Sequence, residues 1–181
     1  MSERDARIDE LLAREEIREV VLALARGTDR LDNELIRSCY HPDAIDDHNS
    51  FRGGPDAFAK WVQEALSFFE ATMHFTGPPR IELSGDAAAV ETYCVAHHIT
   101  KPDADGEQRD IVLGLRYVDR FERRSDPAGL PRWRIAKRVC AFDWTRTTPS
   151  RAEDRFQFDE DFTLGRRDRD DVSYRTSAAL R

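Results

Sequence analysis

The hydrophobic period changes near Met73, and that change limits the folds open to this chain. Before it, apolar residues recur at helical spacing; after it they alternate. Ile8, Leu11 and Leu12, then Ile17, Val20, Val21 and Leu24, predict a first helix. Its Val20–Ala25 stretch is apolar on every side, as in a helix buried nearly all round. Gly27 should loosen or end it. "DNELIRSCY" predicts a short second helix, capped by Asp32 or Asn33, burying Leu35, Ile36 and Cys39 and stopped by Pro42. "DAIDDHNSFRGG" reads as a strand or hairpin running into a turn at Gly53 and Gly54. A third helix is predicted over "PDAFAKWVQEALSFFEAT". Pro55 suits its first turn, and Phe58, Trp61, Val62, Ala65, Leu66 and Phe69 form its apolar stripe.

Beyond Met73, four segments alternate and are rich in β-formers: "MHFTG", "RIELSGDAAAVETYCVAHHIT", "RDIVLGLRYVDRFERR" and "RWRIAKRVCAFDWTR". Short turn signals separate them, so antiparallel hairpins are expected. In "DIVLGLRYVDRF", Ile111, Leu113, Leu115, Tyr117 and Phe121 share one face. Helices followed by a meander make an α+β pattern, with one curved sheet carrying the helices. After about Trp144 the pattern fades, and from Arg151 to Arg181 about half the residues are charged. Within that tail, Phe156, Phe158, Phe162 and Leu164 share strand parity, so a docked extended segment competes with disorder.

A net charge of −7 leaves no basic surplus for phosphates, so no nucleic-acid partner is expected. No apolar run reaches the ~20 residues that cross a bilayer, so no membrane partner is expected. Cys39, Cys94 and Cys140 are isolated and odd in number, and read as reduced core thiols of a cytoplasmic protein. The polar start "MSERDARIDE" does not read as a signal peptide. No metal-ligand spacing, nucleophile motif, phosphate loop or dinucleotide fingerprint is present, so acid/base chemistry without metal or cofactor remains.

The candidate groups are Asp29, Asp32, Tyr40, Asp46, Asp47, His48, His74, His97, His98, Arg116, Arg138 and Asp143. His74, in "TMHFTG", is either a fixed-tautomer base in an apolar cavity or a strand-end histidine bonded to a carbonyl. Thr28 continues the stripe of the first helix and Asp29 lies on its flank, where a turn-forming role is the ordinary one. Asp46 and His48 share a strand face but are too few for a metal, and a polar edge is the simpler reading. His97 and His98 point to opposite faces. Arg138 shares parity with Cys140, Phe142 and Trp144; if that face is internal, it is a buried cation needing an anionic partner.

In order, the segments "GTDRLD", "CYHPDA", "DDH", a Gly-rich turn, "TMHFTG", "SGDAAAVETYCVAHH", "GLRYVDRFERR" and "WRIAKRVCAFDW" resemble the SnoaL-like families of the nuclear transport factor 2-like superfamily. The resemblance covers roughly residues 5–147. It leaves the tail outside: the domain is read as residues 1–147 and the charged tail as residues 148–181, whose strand parity suits docking on a neighbouring subunit. The implied fold is a cone-shaped α+β barrel, a strongly bent antiparallel sheet and three helices around an apolar pocket. Among the scytalone dehydratases, bile-acid dehydratases and hexachlorocyclohexane dehydrochlorinases, the resemblance pairs an aspartate ending the first helix with a histidine opening a later strand. Asp29 and His74 occupy those positions, while Asp32 is left to cap the next helix. Thr28 stands where scytalone dehydratase has a tyrosine, with Tyr40 or Tyr93 as replacements. An arginine recurs on the last strand of such enzymes, for which Arg138 is the nearest candidate, and His98 is a weaker candidate for a second pocket acid. The implied activity is a cofactor-independent lyase or isomerase acting on a hydrophobic cyclic substrate of polyketide, terpenoid or steroid type, in a homo-oligomer. The alternative is a ligand-binding or structural subunit, like the small chain of ring-hydroxylating dioxygenases.

Overall fold

The structure is a computed structural model of the 181-residue chain and describes residues 2–151 and 157–178. Helix α1 spans Glu3–Asp29 and opens with a capping box, in which Ser2 Oγ accepts from Asp5 N–H and Asp5 accepts from Ser2 N–H. Helix α2 is Asn33–Ser38 and helix α3 is Pro55–Leu66. Seven strands follow or intervene: β1 Tyr40–Asp47, β2 Arg52–Gly53, β3 Phe69–Thr76, β4 Arg80–Ser84, β5 Ala87–Thr100, β6 Arg109–Ser125 and β7 Pro131–Pro149. A short helix α4, Val172–Ala178, lies near the end of the chain. Among the described residues no helix is long and apolar enough to cross a membrane.

The strands form one curved, unclosed sheet in the order β2-β1-β7-β6-β5-β3, with β4 paired to β5. All neighbouring pairs are antiparallel except β1 with β7. Bulges between Gly114 and Leu115 and between Arg120 and Phe121 on the β6–β7 ladder bend the sheet over the helices. One end of the concave side is filled solidly: Ile17, Val21, Ile36, Phe58, Val62, Phe121, Trp133 and Ile135 are all buried there. Toward the Ile111–Tyr117 half of β6 the packing is thinner, and a cavity remains.

Several boundaries differ from the sequence reading. Gly27 does not end α1, which runs two residues further to Asp29. Gly27 instead lets α2 approach, because a Cβ there would stand 3.2 Å from the Ile36 backbone nitrogen. The helix closes in a Schellman turn, with Asp32 N–H bonded to Gly27 carbonyl at 2.8 Å and Leu31 in the left-handed region at φ 53°. Pro42 lies inside β1 rather than before it. The β1–β7 pairing slips between Tyr40 and Ile45, so the missing N–H of Pro42 leaves no ladder bond unmade. Helix α3 stops at Leu66, where Ser67 turns its N–H and hydroxyl onto the Glu64 carbonyl, and Phe69 begins β3. The alternation does fade near Trp144, with every residue from Phe142 onward exposed, but the strand itself continues and β7 ends at Pro149.

Part of the tail folds back on its own chain. Arg169 and Tyr174 both bond the Asp32 carboxylate, at 3.0 and 2.8 Å, and Arg26 lies over the Tyr174 ring at 4.5 Å. Phe158 and Phe162 pack together with ring centroids 5.3 Å apart, and Phe156 falls outside the described residues.

Candidate active site

The cavity between the sheet and the helices α1 and α3 has a volume of about 210 Å³. Its wall is largely apolar, with Leu24, Trp61, Val62, Leu66, Leu113 and Leu115 among its residues, and Phe142 stands at it half exposed. An engineered cavity of ~150 Å³ holds benzene, so this one has room for a somewhat larger ring system. Its polar groups are Thr28, His48, His74, His98, Tyr117 and Arg138.

The Schellman turn that closes α1 fixes Asp29 against β3. The Asp29 carboxylate accepts three hydrogen bonds there: from Thr72 Oγ1 at 2.9 Å, from the His74 backbone N–H at 2.9 Å and from the His74 ring at Nδ1 at 2.8 Å. Burial alone would raise its pKa. The ring hydrogen bond and charge of His74, the His74 backbone and Thr72 outweigh burial and hold it below the usual carboxylate range. With Nδ1–H committed to Asp29, the His74 tautomer leaves Nε2 as the basic nitrogen.

His98, on β5, packs edge-on to His74 at 5.3 Å and against Phe69 at 4.8 Å. Burial, and then the charge of His74, push its pKa down to about 4, so its ring is neutral near pH 7. Its Nδ1 is buried with no hydrogen-bond partner among the described residues. His97 points to the opposite face and pairs with Asp110.

Arg138 is internal, and its anionic partner is Asp119, directly across the β6–β7 ladder. Nε and Nη2 donate to the two carboxylate oxygens at 2.8 and 2.7 Å, and the guanidinium lies over the Tyr117 ring at 4.0 Å. Burial opposes the charge of Arg138, but Asp119 outweighs it and keeps the guanidinium protonated.

The structure places the other candidates differently from expectation. Tyr40 does not line the cavity; it is buried behind the wall and donates to Asp46 at 2.5 Å. Tyr93 is exposed on the outer face of the sheet, beside Arg116. Arg116 and Asp143 pair with each other on that face. Trp144 does not share the inner face with Arg138, because the bulge at Asp143 reverses the parity and lays its ring over Gly114. Asp32 caps α2 through the Leu35 N–H. Asp46 and His48 do not form a polar edge: Asp46 is buried and bonded to the His48 ring, which lines the cavity. Among the described residues no group of three or more side chains could hold a metal ion.

Sequence reasoning therefore missed Asp119 as a partner and Tyr117 as a wall residue. Both sit at the inward parity of β6 set by Leu113, Leu115 and Phe121, and a carboxylate at such a position was the available signal.

Solved structures share this fold. Kfla4162 from Kribbella flavida is 17% identical, with TM-score 0.65, covering 76% of this chain and 95% of that one. A hexachlorocyclohexane dehydrochlorinase from Novosphingobium barchaimii is 18% identical, with TM-score 0.65, covering 80% and 94%. A nuclear transport factor 2-like protein with a cystatin-like fold from Novosphingobium aromaticivorans is 26% identical, with TM-score 0.59, covering 76% and 86%. No curated protein matches the sequence. The profile of the SnoaL-like domain matches residues 9–139, most of the chain, and with the architecture above it shows that this protein belongs to the SnoaL-like family of the nuclear transport factor 2-like superfamily.

Proposed function

We propose that the protein is a cofactor-independent lyase of the dehydratase type, acting on a small hydrophobic cyclic substrate by general acid/base catalysis. The observation that carries this reading is the Asp29–His74 pair at the wall of an apolar cavity. A histidine with one nitrogen held by a carboxylate and the other toward a largely apolar chamber is built to take a proton from carbon beside a carbonyl. Arg138 stabilises the developing enolate oxygen, since Nε and Nη2 are spent on Asp119 while Nη1 makes no hydrogen bond among the described residues. Neutral His98, with its unpartnered Nδ1, and Thr28 orient the ring substituents. The hexachlorocyclohexane dehydrochlorinase likeness agrees with an elimination, here of water from a polyketide-, terpenoid- or steroid-like ring.

The outer sheet face supports assembly. Met73, Phe75, Tyr93, Val95, Val118, Val139 and Trp144 are all more than a third exposed. The registers join Phe75, Val95 and Trp144 into one patch, with Val118 and Val139 beyond the Arg116 ion pairs. A homo-oligomer joined through this face is part of the same reading.

The test is turnover of a panel of bicyclic β-hydroxy ketones, followed by absorbance of the conjugated product. Wild-type protein should eliminate water from at least one of them. His74→Ala and Asp29→Asn should lose that activity at least ~100-fold while keeping the far-ultraviolet circular dichroism of the wild type. Full activity in both variants removes the dyad from the mechanism.

A further inference from the structure

The cavity holds a second histidine–aspartate pair. His48 follows β1 directly, and its Nδ1–H donates to Asp46 Oδ1, while Tyr40 donates to the other carboxylate oxygen at 2.5 Å. Asp46 is 1% exposed, so this is a buried, fully engaged carboxylate. The His48 ring is held flat by stacking on Phe58 at 5.0 Å, with Trp61 at 5.7 Å and Tyr117 at 6.3 Å. Its Nε2 makes no hydrogen bond among the described residues, and the residue lines the cavity. The arrangement repeats that of His74: a carboxylate on Nδ1 and Nε2 left over.

The two pairs come from opposite sides of the fold. His74 is on β3, one edge of the sheet, and His48 follows β1, next to the other edge. Four strand spacings of ~4.8 Å separate β1 from β3 along the sheet, and its curvature brings both imidazoles to one small cavity. A molecule filling that cavity meets His48 from the β1 end of the sheet and His74, with His98 beside it, from the β3 end.

Their charge surroundings differ. Around His48, Arg138 stands between Asp46 on β1 and Asp119 on β6, its register partners on either side. Two buried carboxylates thus stand with one guanidinium beside this ring, an excess of acceptor oxygens. Around His74, Asp29 is the near carboxylate, and Arg167 from the tail, bonded to the Leu66 and Phe69 carbonyls, interacts electrostatically with it. Here one carboxylate stands with one guanidinium, with no excess of negative charge.

We propose that His48, positioned by Asp46 and Tyr40, is a second catalytic residue, the general acid opposite the His74 base; this deepens the lyase reading and rests on it. The ligand class follows: a fused-ring ketone carrying a hydroxyl on the side away from the C–H that ionises. His74 Nε2 takes the proton from the carbon beside the carbonyl, and that C–H pair becomes the new C=C bond. The C–O bond breaks on the adjacent carbon, and its oxygen takes the His48 Nε2 proton and leaves as water. His48 ends neutral and His74 protonated, and solvent restores both.

Two measurements on the full-length chain test this. In D₂O, with the β-hydroxy ketone that wild type turns over, His48→Gln should lose elimination at least ~100-fold yet still exchange the α-hydrogen at about the wild-type rate. His74→Gln should lose both. Elimination by His48→Gln at the wild-type rate overturns the proposal and leaves the lyase reading standing. The second measurement needs no turnover. Histidine ring signals of ¹⁵N-labelled wild type, assigned by single substitutions of the five histidines, are followed during titration with 1-tetralone. His48 and His74 should move together along one binding curve. Movement of His74 without His48 overturns the second centre, as does movement of neither. Movement of both with no ketone turned over keeps the two-sided cavity as a binding site and discards the lyase reading.

Discussion

His74 meets the Asp29 carboxylate twice, through its ring Nδ1 at 2.8 Å and through its own backbone N–H at 2.9 Å. Thr72, two residues earlier on β3, supplies a third bond. The strand and the imidazole are thus fixed by one side chain at the end of α1, so the ring cannot turn without giving up a hydrogen bond to a charged group. Hydrogen bonds to charged groups are worth ~1.5–3 kcal/mol. Asp29→Asn should therefore lower unfolding stability by about that amount in urea titrations near neutral pH. Because the carboxyl pKa is lowered in the folded state, its contribution is present above the unfolded value near 3.9 and is lost as pH falls through the folded value. The gap between wild type and Asp29→Asn should accordingly narrow in strongly acidic solution.

His98 sets a different pH window. Its pKa falls from an ordinary 6.5 to about 4 on folding, because burial, and then His74, oppose its charge. The unfolded chain then binds the extra proton first, so stability is full above about pH 6.5 and declines as pH falls toward about 4. At ~1.4 kcal/mol per unit the decline is of order 3 kcal/mol. Chemical denaturation of wild type and His98→Leu across pH 4–7 measures it, and the variant should show a flatter profile by about that amount. Equal slopes would mean that His98 is not held neutral.

Asp119 and Arg138 are both essentially buried, at 3% and 2% exposure. Removing one partner of such a pair strands the other charge, which typically costs ~3–5 kcal/mol. Asp119→Asn should cost that much in urea unfolding, whereas the double change Asp119→Leu with Arg138→Met should cost far less. A small loss for the single variant would show that Arg138 finds another anion, Asp46 being the neighbour on β1.

Periodicity made the architecture readable, because burial on one face of a helix or strand must be written in every third or every second residue. It failed where one residue breaks the count. The bulge at Asp143 puts Trp144 on the opposite face from Phe142, and no alternation pattern records an inserted residue. The end of α3 was misplaced for a related reason: Phe69 suits a helical stripe and a strand equally well. The site was less legible than the fold. Helical spacing sets Asp29 on the flank of α1, and only the family resemblance pairs it with His74. Asp46 and His48 were visible as a pair on one strand face, but sequence cannot tell an edge from an interior, and β7 alongside β1 makes it interior.

The outer face gives the last prediction. Phe75 and Val95 are register partners on β3 and β5, Val118 and Val139 on β6 and β7, and all four are exposed in the single chain. The Trp144 ring covers Gly114 so closely that a Cβ there would fall 2.1 Å from it, which makes this corner of the face flat and aromatic. Apolar area of this kind is removed from water by a like surface at ~25 cal/mol per Å², and a face repeated on every copy is self-complementary under two-fold symmetry. Sedimentation of the wild type should therefore report a multiple of 20.9 kDa. Val95→Glu, which sets a carboxylate between Phe75 and the Trp144-covered Gly114 without touching the cavity wall, should bring the mass down to that of one chain. It should leave the Asp29–His74 ring signals of labelled protein in place, since those groups lie on the opposite side of the sheet. A wild type that sediments as one chain at micromolar concentration would assign this face to another partner.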